Sequence, residues 1–312
     1  MDATEHRAAW KTLSAFAIIY FVWGSTFLAI RIGVLAMPPL LFGAMRFLVA
    51  GAALCGWMVA RGESLPRGRQ WLSASLLAFL IFVVDYGLLF WAEQRVPSGI
   101  AAVMMATIPA FMALSEILLL KTQRLTINLA AALIVGMGGV AILMSHGLSL
   151  GGAPIDKRGA AALMIGSLSW SIASVLSRRL QLPRSKGMSA GTQMFLGGIF
   201  LSIAAVVAGE LHGFHLGNVS MAAWLALAYL IVFGSIVGFT CYVWLIHHES
   251  PTKVGTYAYV NPVVAVLIGY FFGGEALDIR TILGTGLILA SVVVITASQA
   301  KKAAPILVEE EA

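Results

Sequence analysis

Apolar residues fill this chain in long blocks separated by short polar corners. The blocks run over 12–35, 40–60, 71–92, 98–120 and 127–146, then over 158–180, 188–210, 220–246, 252–273 and 278–298. A helix needs about 20 apolar residues to cross a bilayer, so each block predicts one membrane span. Corners such as Met37-Pro38-Pro39 and Lys121-Thr122-Gln123-Arg124 leave no room for a soluble domain. The pattern predicts an all-α integral membrane protein of ten transmembrane helices, ending in a cytoplasmic tail at 299–312.

The ten blocks fall into two sets of five. An offset of 147 residues lays Trp23 on Trp170 and Arg31 on Arg178. Laying Pro97 on Pro251 brings Pro109 onto Pro262 with one residue of slippage. Two five-helix repeats are expected, at 12–146 and 158–298. Composition agrees with a life in lipid: 60% of residues are hydrophobic and 11% charged, with mean hydropathy +0.91. A soluble domain carries roughly 25% charged residues to cover its surface. Asp2 and Glu5 precede an apolar stretch too long for a cleavable signal, so the first block reads as a retained span. Cys55 and Cys241 lie inside apolar runs and suit neither disulfides nor metal ligation.

The net charge of +6 invites a nucleic-acid reading, and its distribution removes it. With the N-terminus in the cytoplasm, fourteen of the twenty Lys and Arg fall on the inner side. Four, Arg95, Lys157, Arg158 and Arg280, fall outside, while Arg31 and Arg46 lie within spans. This is the positive-inside bias of a membrane protein, and the predicted partner is a lipid bilayer. An odd number of spans per repeat turns the second half over. Arg31 then lies near the outer face and its mate Arg178 near the inner one, so the repeats are inverted, N-in and C-in. Many transporters build two gates around one site in this way.

Ionisable residues inside hydrocarbon are costly and mark function by default. Arg46 and Asp85 lie at matching depths, about 9 Å and about 10 Å from the outer ends of their helices at 1.5 Å per residue. They read either as a charged pair lining a polar cavity, able to hold a zwitterion, or as an inert structural ion pair. Arg31 and Glu93 match near the outer interface, where long side chains reach the headgroups. Glu116, close to an inner helix end, is expected to pair with Lys121 or another inner cation. Pro109 and Pro262 sit mid-helix and free the carbonyls of Met105 and Ala258, which lipid cannot satisfy. They are the candidate hinges, and Tyr257 and Asn261 beside Pro262 are candidate substrate contacts. Trp23 and Trp170, near mid-span, read either as cavity walls or as bulky core. Gln193, the repeat mate of Arg46, completes the candidate substrate-binding set of Trp23, Arg46, Asp85, Trp170, Gln193, Tyr257 and Asn261. The six histidines fall in tails, loops or helix ends. No phosphate loop, metal-ligand spacing or Ser-His pairing presents itself, so no cofactor, metal or catalytic residue is expected. Glycines at Gly136-Met137-Gly138-Gly139 and Gly284-Thr285-Gly286 give the fifth and tenth helices small faces for packing, within a monomer or at a homodimer contact.

Several stretches resemble the EamA family, the ten-helix branch of the drug/metabolite transporter superfamily, and within it the YedA-like exporters. They are Phe21-Val22-Trp23-Gly24-Ser25-Thr26, Pro39 through Arg46, and Ala92-Glu93-Gln94-Arg95-Val96-Pro97-Ser98-Gly99. Tyr257-Ala258-Tyr259-Val260-Asn261-Pro262 with the later Gly274-Glu275 completes the likeness, which covers nearly the whole chain. It implies a bacterial inner-membrane permease exporting small metabolites, amino acids or drugs by alternating access. The small multidrug-resistance relatives carry a coupling glutamate in their first helix. This chain has Val22 and Trp23 in that region, and its fourth-helix corner reads Lys121-Thr122 where the ninth has Gly274-Glu275.

Overall fold

The computed structural model describes residues 3–120, 126–144, 156–248, 254, 257–274 and 279–303. The apolar blocks become helical rods. They are α1 (Ala3–Ala36), α2 (Pro39–Ala60), α3 (Arg69–Glu93), α4 (Ser98–Leu119) and α5 (Ile127–Met144). There follow α6 (Lys157–Ser177), α7 (Lys186–Val207), α8 (Met221–Leu245), α9 (Tyr257–Gly273) and α10 (Ile279–Ala303). α1 to α4 and α6 to α8 are long and apolar enough to cross a membrane, and α9 and α10 hold shorter apolar stretches at Val260–Gly273 and Ile282–Ser291. The expectations placed on Lys121, Thr122, Arg124, His146, Pro251, Lys253 and Glu275 lie outside the described residues.

Short polar side chains start the helices. Asp156, Ser185 and Ser220 cap α6, α7 and α8 by accepting from the N–H groups of Arg158, Met188 and Ala223. α2 opens on Pro38-Pro39 with no capping side chain of its own. Glu210, just past α7, supplies the missing acceptor: its carboxylate takes the N–H of Leu41 at 2.9 Å and of Leu40 at 3.3 Å. A carboxylate is favoured there by the helix dipole. The end of α7 is thereby tied to the start of α2. At the opposite end Met58 of α2 receives the Ser185 hydroxyl at 3.7 Å, so the two helices run antiparallel.

Between those ends α2 and α7 touch backbone to backbone. A Cβ at Gly51 would stand 2.3 Å from the Phe195 nitrogen, and one at Gly198 would stand 2.5 Å from the Leu48 nitrogen. In lipid, helices associate through such close packing rather than through a hydrophobic drive. α5 packs on α10 in the same manner, a Cβ at Gly139 meeting the Gly284 carbonyl at 2.9 Å. The small-residue faces of these two helices are thus used within the chain. The other main pairings are α1 with α8 and α9, α6 with α3 and α4, α4 with α9, α2 with α8, and α7 with α3. Exchanging each helix for the one five places along returns the same set.

Two features depart from the expected plain helices. α3 and α8 each contain a π-helical segment, Phe79–Tyr86 and Leu230–Val237, followed by Gly87 and Gly238. α4 is broken and not merely kinked. Its first segment ends at Met105, Ala106 and Thr107 form a turn, and a second segment starts at Ile108. Pro109 therefore stands in the first turn of a new helix, where its missing N–H costs nothing. Pro262 lies inside continuous α9, as expected.

The glycine crossing yields a stability test. Overpacking a close contact costs about 1–3 kcal/mol. Gly198→Val should lower the thermal unfolding midpoint in detergent by several degrees. Gly56→Ala, on α2 with no atom within 4 Å of the added carbon, should leave it unchanged.

Candidate functional site

Every carbonyl loosened by the break in α4 needs a partner inside the protein, because lipid offers none. From α6 a row of serines reaches one carbonyl of α4 and one of α3. The Ser171 hydroxyl lies 3.0 Å from the Ile108 carbonyl and 2.7 Å from that of Ser167. Ser169 donates to the Leu80 carbonyl in the π segment of α3 at 2.7 Å, and Thr107 donates to Met104 at 2.7 Å. At the crossing of α1 and α9 the direction is reversed, with the donor on α9. The Asn261 amide nitrogen donates to the Tyr20 carbonyl at 3.0 Å, with the Ile19 and Tyr257 carbonyls at 3.3 Å. α1 passes so near that a Cβ at Gly24 would stand 3.2 Å from the Asn261 carbonyl. Gly24 aligns with Ser171, and Asn261 with Ile108, each the residue before its proline. The same crossing occurs twice, once closed by a glycine and once by a hydroxyl.

A cavity of about 70 Å³ lies among these crossings, enough for a few water molecules. Trp23, Asp85, Trp170, Tyr257 and Asn261 line it, together with Pro262. Arg46, Gln193 and Pro109 do not. Thr26, Phe27, Tyr86 and Met105 also line it and were missed from sequence. The available signal was local, since Thr26 follows Trp23 by less than one turn and Tyr86 adjoins Asp85.

Aromatic rings form one wall. The Trp23 ring stands 5.1 Å from Tyr242, 5.3 Å from Tyr257 and 6.3 Å from Trp170, centroid to centroid. Trp170 in turn meets Tyr242 at 5.9 Å and Tyr86 at 6.2 Å. Such edge and tilted contacts suit ring quadrupoles. Trp23 is locked, because its indole N–H donates to the Gly234 carbonyl at 3.1 Å. Gly238 leaves the space for it, a Cβ there standing 2.6 Å from the indole nitrogen. Trp170 aligns with Trp23 but lacks that seat. Its buried N–H meets no acceptor among the described residues.

The expected pairing of Arg46 with Asp85 does not occur: no ion pair joins them among the described residues. Arg46 is 1% exposed and its Nε donates to Ser235 of the α8 π segment at 2.9 Å. Its guanidinium lies 4.8 Å from the Phe47 ring centre and 5.2 Å from that of Tyr86. Tyr86 therefore stands between Arg46 and the cavity. Asp85, also 1% exposed, turns toward α6 instead. Gly166 makes room, since a Cβ there would stand 3.1 Å from Asp85 Oδ1, and no described donor reaches that oxygen. Equal depth put both residues at one level, but their helices point them apart. Gln193 lies buried in α7, where its amide nitrogen donates to Ser189 at 3.0 Å.

Two arginines bind the ends of the bundle. Arg31 Nη1 donates to the carbonyls of Glu93 at 2.7 Å and Val96 at 2.6 Å, joining the end of α1 to the end of α3. Arg178, its repeat mate, forms an ion pair with Glu116 at 2.7 Å. Glu116, expected to pair with Lys121 or another inner cation, meets such a cation in Arg178.

Comparison with known proteins gives one family twice over. The EamA-like transporter family matches residues 10–145 and again 157–297. The chain is 41% identical over 285 residues to the "Uncharacterized inner membrane transporter YedA" of Escherichia coli (strain K12), covering 90% of this chain and 89% of that one. It is 25% identical over 276 residues to "Protein PecM" of Dickeya dadantii (strain 3937), covering 88% of each. A solved structure titled "Crystal structure of protein" shares the fold with TM-score 0.66 at 22% identity, covering 95% of this chain and 99% of its own. The chain is a multi-pass inner-membrane protein and belongs to the EamA-like transporter family.

Proposed function

We propose that this protein exports small metabolites, amino acids or drugs by alternating access, using ten spans in two inverted five-helix repeats with both termini in the cytoplasm. Trp23, Asp85, Trp170, Tyr257 and Asn261 touch the substrate, and Pro109 and Pro262 serve as hinges. Arg46 and Gln193 act behind the cavity wall, at equivalent places of α2 and α7.

The observation that carries this reading is the position of the cavity. It lies where broken α4 and proline-containing α9 meet α6 and α1. Non-helical backbone at that depth is what transporters use around a midplane site. Support for inversion comes from which ends meet. Arg31 reaches the end of α3, and Arg95 there lies 3.6 Å from Asp156 at the start of α6. The end of α1 thus lies beside the start of α6. Arg61, Arg184 and Lys186 gather where α2 ends and α7 begins, on the side that the positive-inside rule assigns to the cytoplasm.

Exchange separates this reading from a channel. The purified chain in proteoliposomes should carry at least one solute from a panel of amino acids, nucleosides and lipophilic cations. Unlabelled solute on the far side should accelerate that flux. A flux that is indifferent to solute on the far side would favour a channel. The paired latches give a second test. A hydrogen bond is worth about 1 kcal/mol net, and so changes a rate by roughly five-fold. Ser171→Ala and Asn261→Ala should each shift the exchange rate by that order while the unfolding midpoint moves by only a few degrees.

A further inference from the structure

We infer that the cavity is built for a small monovalent organic cation, its ammonium group held on the Asp85 carboxylate and surrounded by the rings of Trp23, Tyr86, Trp170 and Tyr257. The inference deepens the transport reading of the same site, and its binding half stands without it.

The argument starts from charge. Among the described residues the cavity lining holds one carboxylate, Asp85, and no Lys or Arg. The cation that equal depth would have put beside it is withdrawn: Arg46 is held by Ser235 and faces Phe47 and Tyr86. Arg31 is likewise engaged with the backbone at the end of α3. Asp85 is left buried, with Oδ1 unpartnered and lying against Gly166, whose missing side chain leaves space for the oxygen. A buried carboxylate is stable as an anion only beside a positive charge, and none of the described residues brings one to it.

The rings are the second, independent observation. Trp23, Tyr86, Trp170 and Tyr257 all line the same space as Asp85. Aromatic faces attract ammonium groups, more strongly once water is excluded, and they hold quaternary ammonium compounds in cages of this composition. Tyr86 already shows the preference inside the protein, with Arg46 5.2 Å from its ring centre. A carboxylate-bearing ligand has no counterpart here. An anion would face Asp85 directly, and a zwitterion would leave its carboxylate without a cation.

A set of compact solutes of one core shape and different charge tests this without any mutation. They are tetramethylammonium, betaine as the zwitterion, pivalate as the anion and tert-butanol as the neutral form. Binding is read from the tryptophan fluorescence of the full chain in detergent. Tetramethylammonium should give a saturable change at least tenfold tighter than betaine, and pivalate and tert-butanol should give none. Asp85→Asn should weaken tetramethylammonium binding at least tenfold, with folding checked by the unfolding midpoint. Equal response to all four solutes, preference for betaine or pivalate, or an unchanged Asp85→Asn variant overturns the proposal. So does a wild-type chain with no saturable response to tetramethylammonium. The two readings fail separately. Tetramethylammonium bound, with neither it nor any solute of the panel exchanged across proteoliposomes, removes transport and keeps the cation site. Exchange of other solutes with no cation binding removes the cation site and keeps transport.

Discussion

Backbone carbonyls released inside a bilayer must find partners within the protein, and the centre of this molecule is organised by that need. The break after Met105 loosens the hydrogen-bond ladder of α4, and Pro262 removes one bond from α9. α6 answers with serines, and at the other crossing Asn261 of α9 donates to carbonyls of α1. These crossings hold four helices close together at mid-depth. The cavity occupies what the irregular backbone cannot fill.

The same crossings explain why the two halves do similar work with dissimilar residues. Gly24 and Ser171 occupy equivalent positions, yet one permits close approach and the other makes a hydrogen bond. Trp23 and Trp170 are equivalent too. Gly234 and Gly238 seat the first, whereas the aligned positions of α3 are Val83 and Gly87, and Gly87 lies against Leu40 and Leu201. The π segments diverge furthest. That of α8 grips Arg46 through Ser235, and that of α3 turns Asp85 into the cavity. A duplicated frame fixes where helices cross, and single side chains then give each crossing its own chemistry.

Much of the site was legible. Rarity of polar groups in apolar blocks singled out Asp85 and Asn261, and the internal alignment singled out Trp23 and Trp170. The pairing of Arg46 with Asp85 was the misreading, and its cause is geometric. Depth follows from counting residues at 1.5 Å each, but facing direction turns by about 100° per residue. Asp85 lies within a π segment, where wider turns break that count. Two residues at one level can therefore point to different neighbours. Tyr86 went unnoticed for a related reason, since nothing about a tyrosine next to an acid reveals that its ring divides a cavity from a buried arginine.

Hydropathy and charge by themselves determined the helical character of the chain, the approximate ends of its rods, its membrane setting and its internal duplication. Those properties depend on composition along a line, and the bilayer reads composition along a line. Tertiary structure alone decided which few polar groups share a cavity, which arginine is sequestered, and where a helix breaks rather than bends. Those outcomes depend on azimuth and on contacts between distant segments, where a missing Cβ at Gly166 or Gly238 counts as much as any charge.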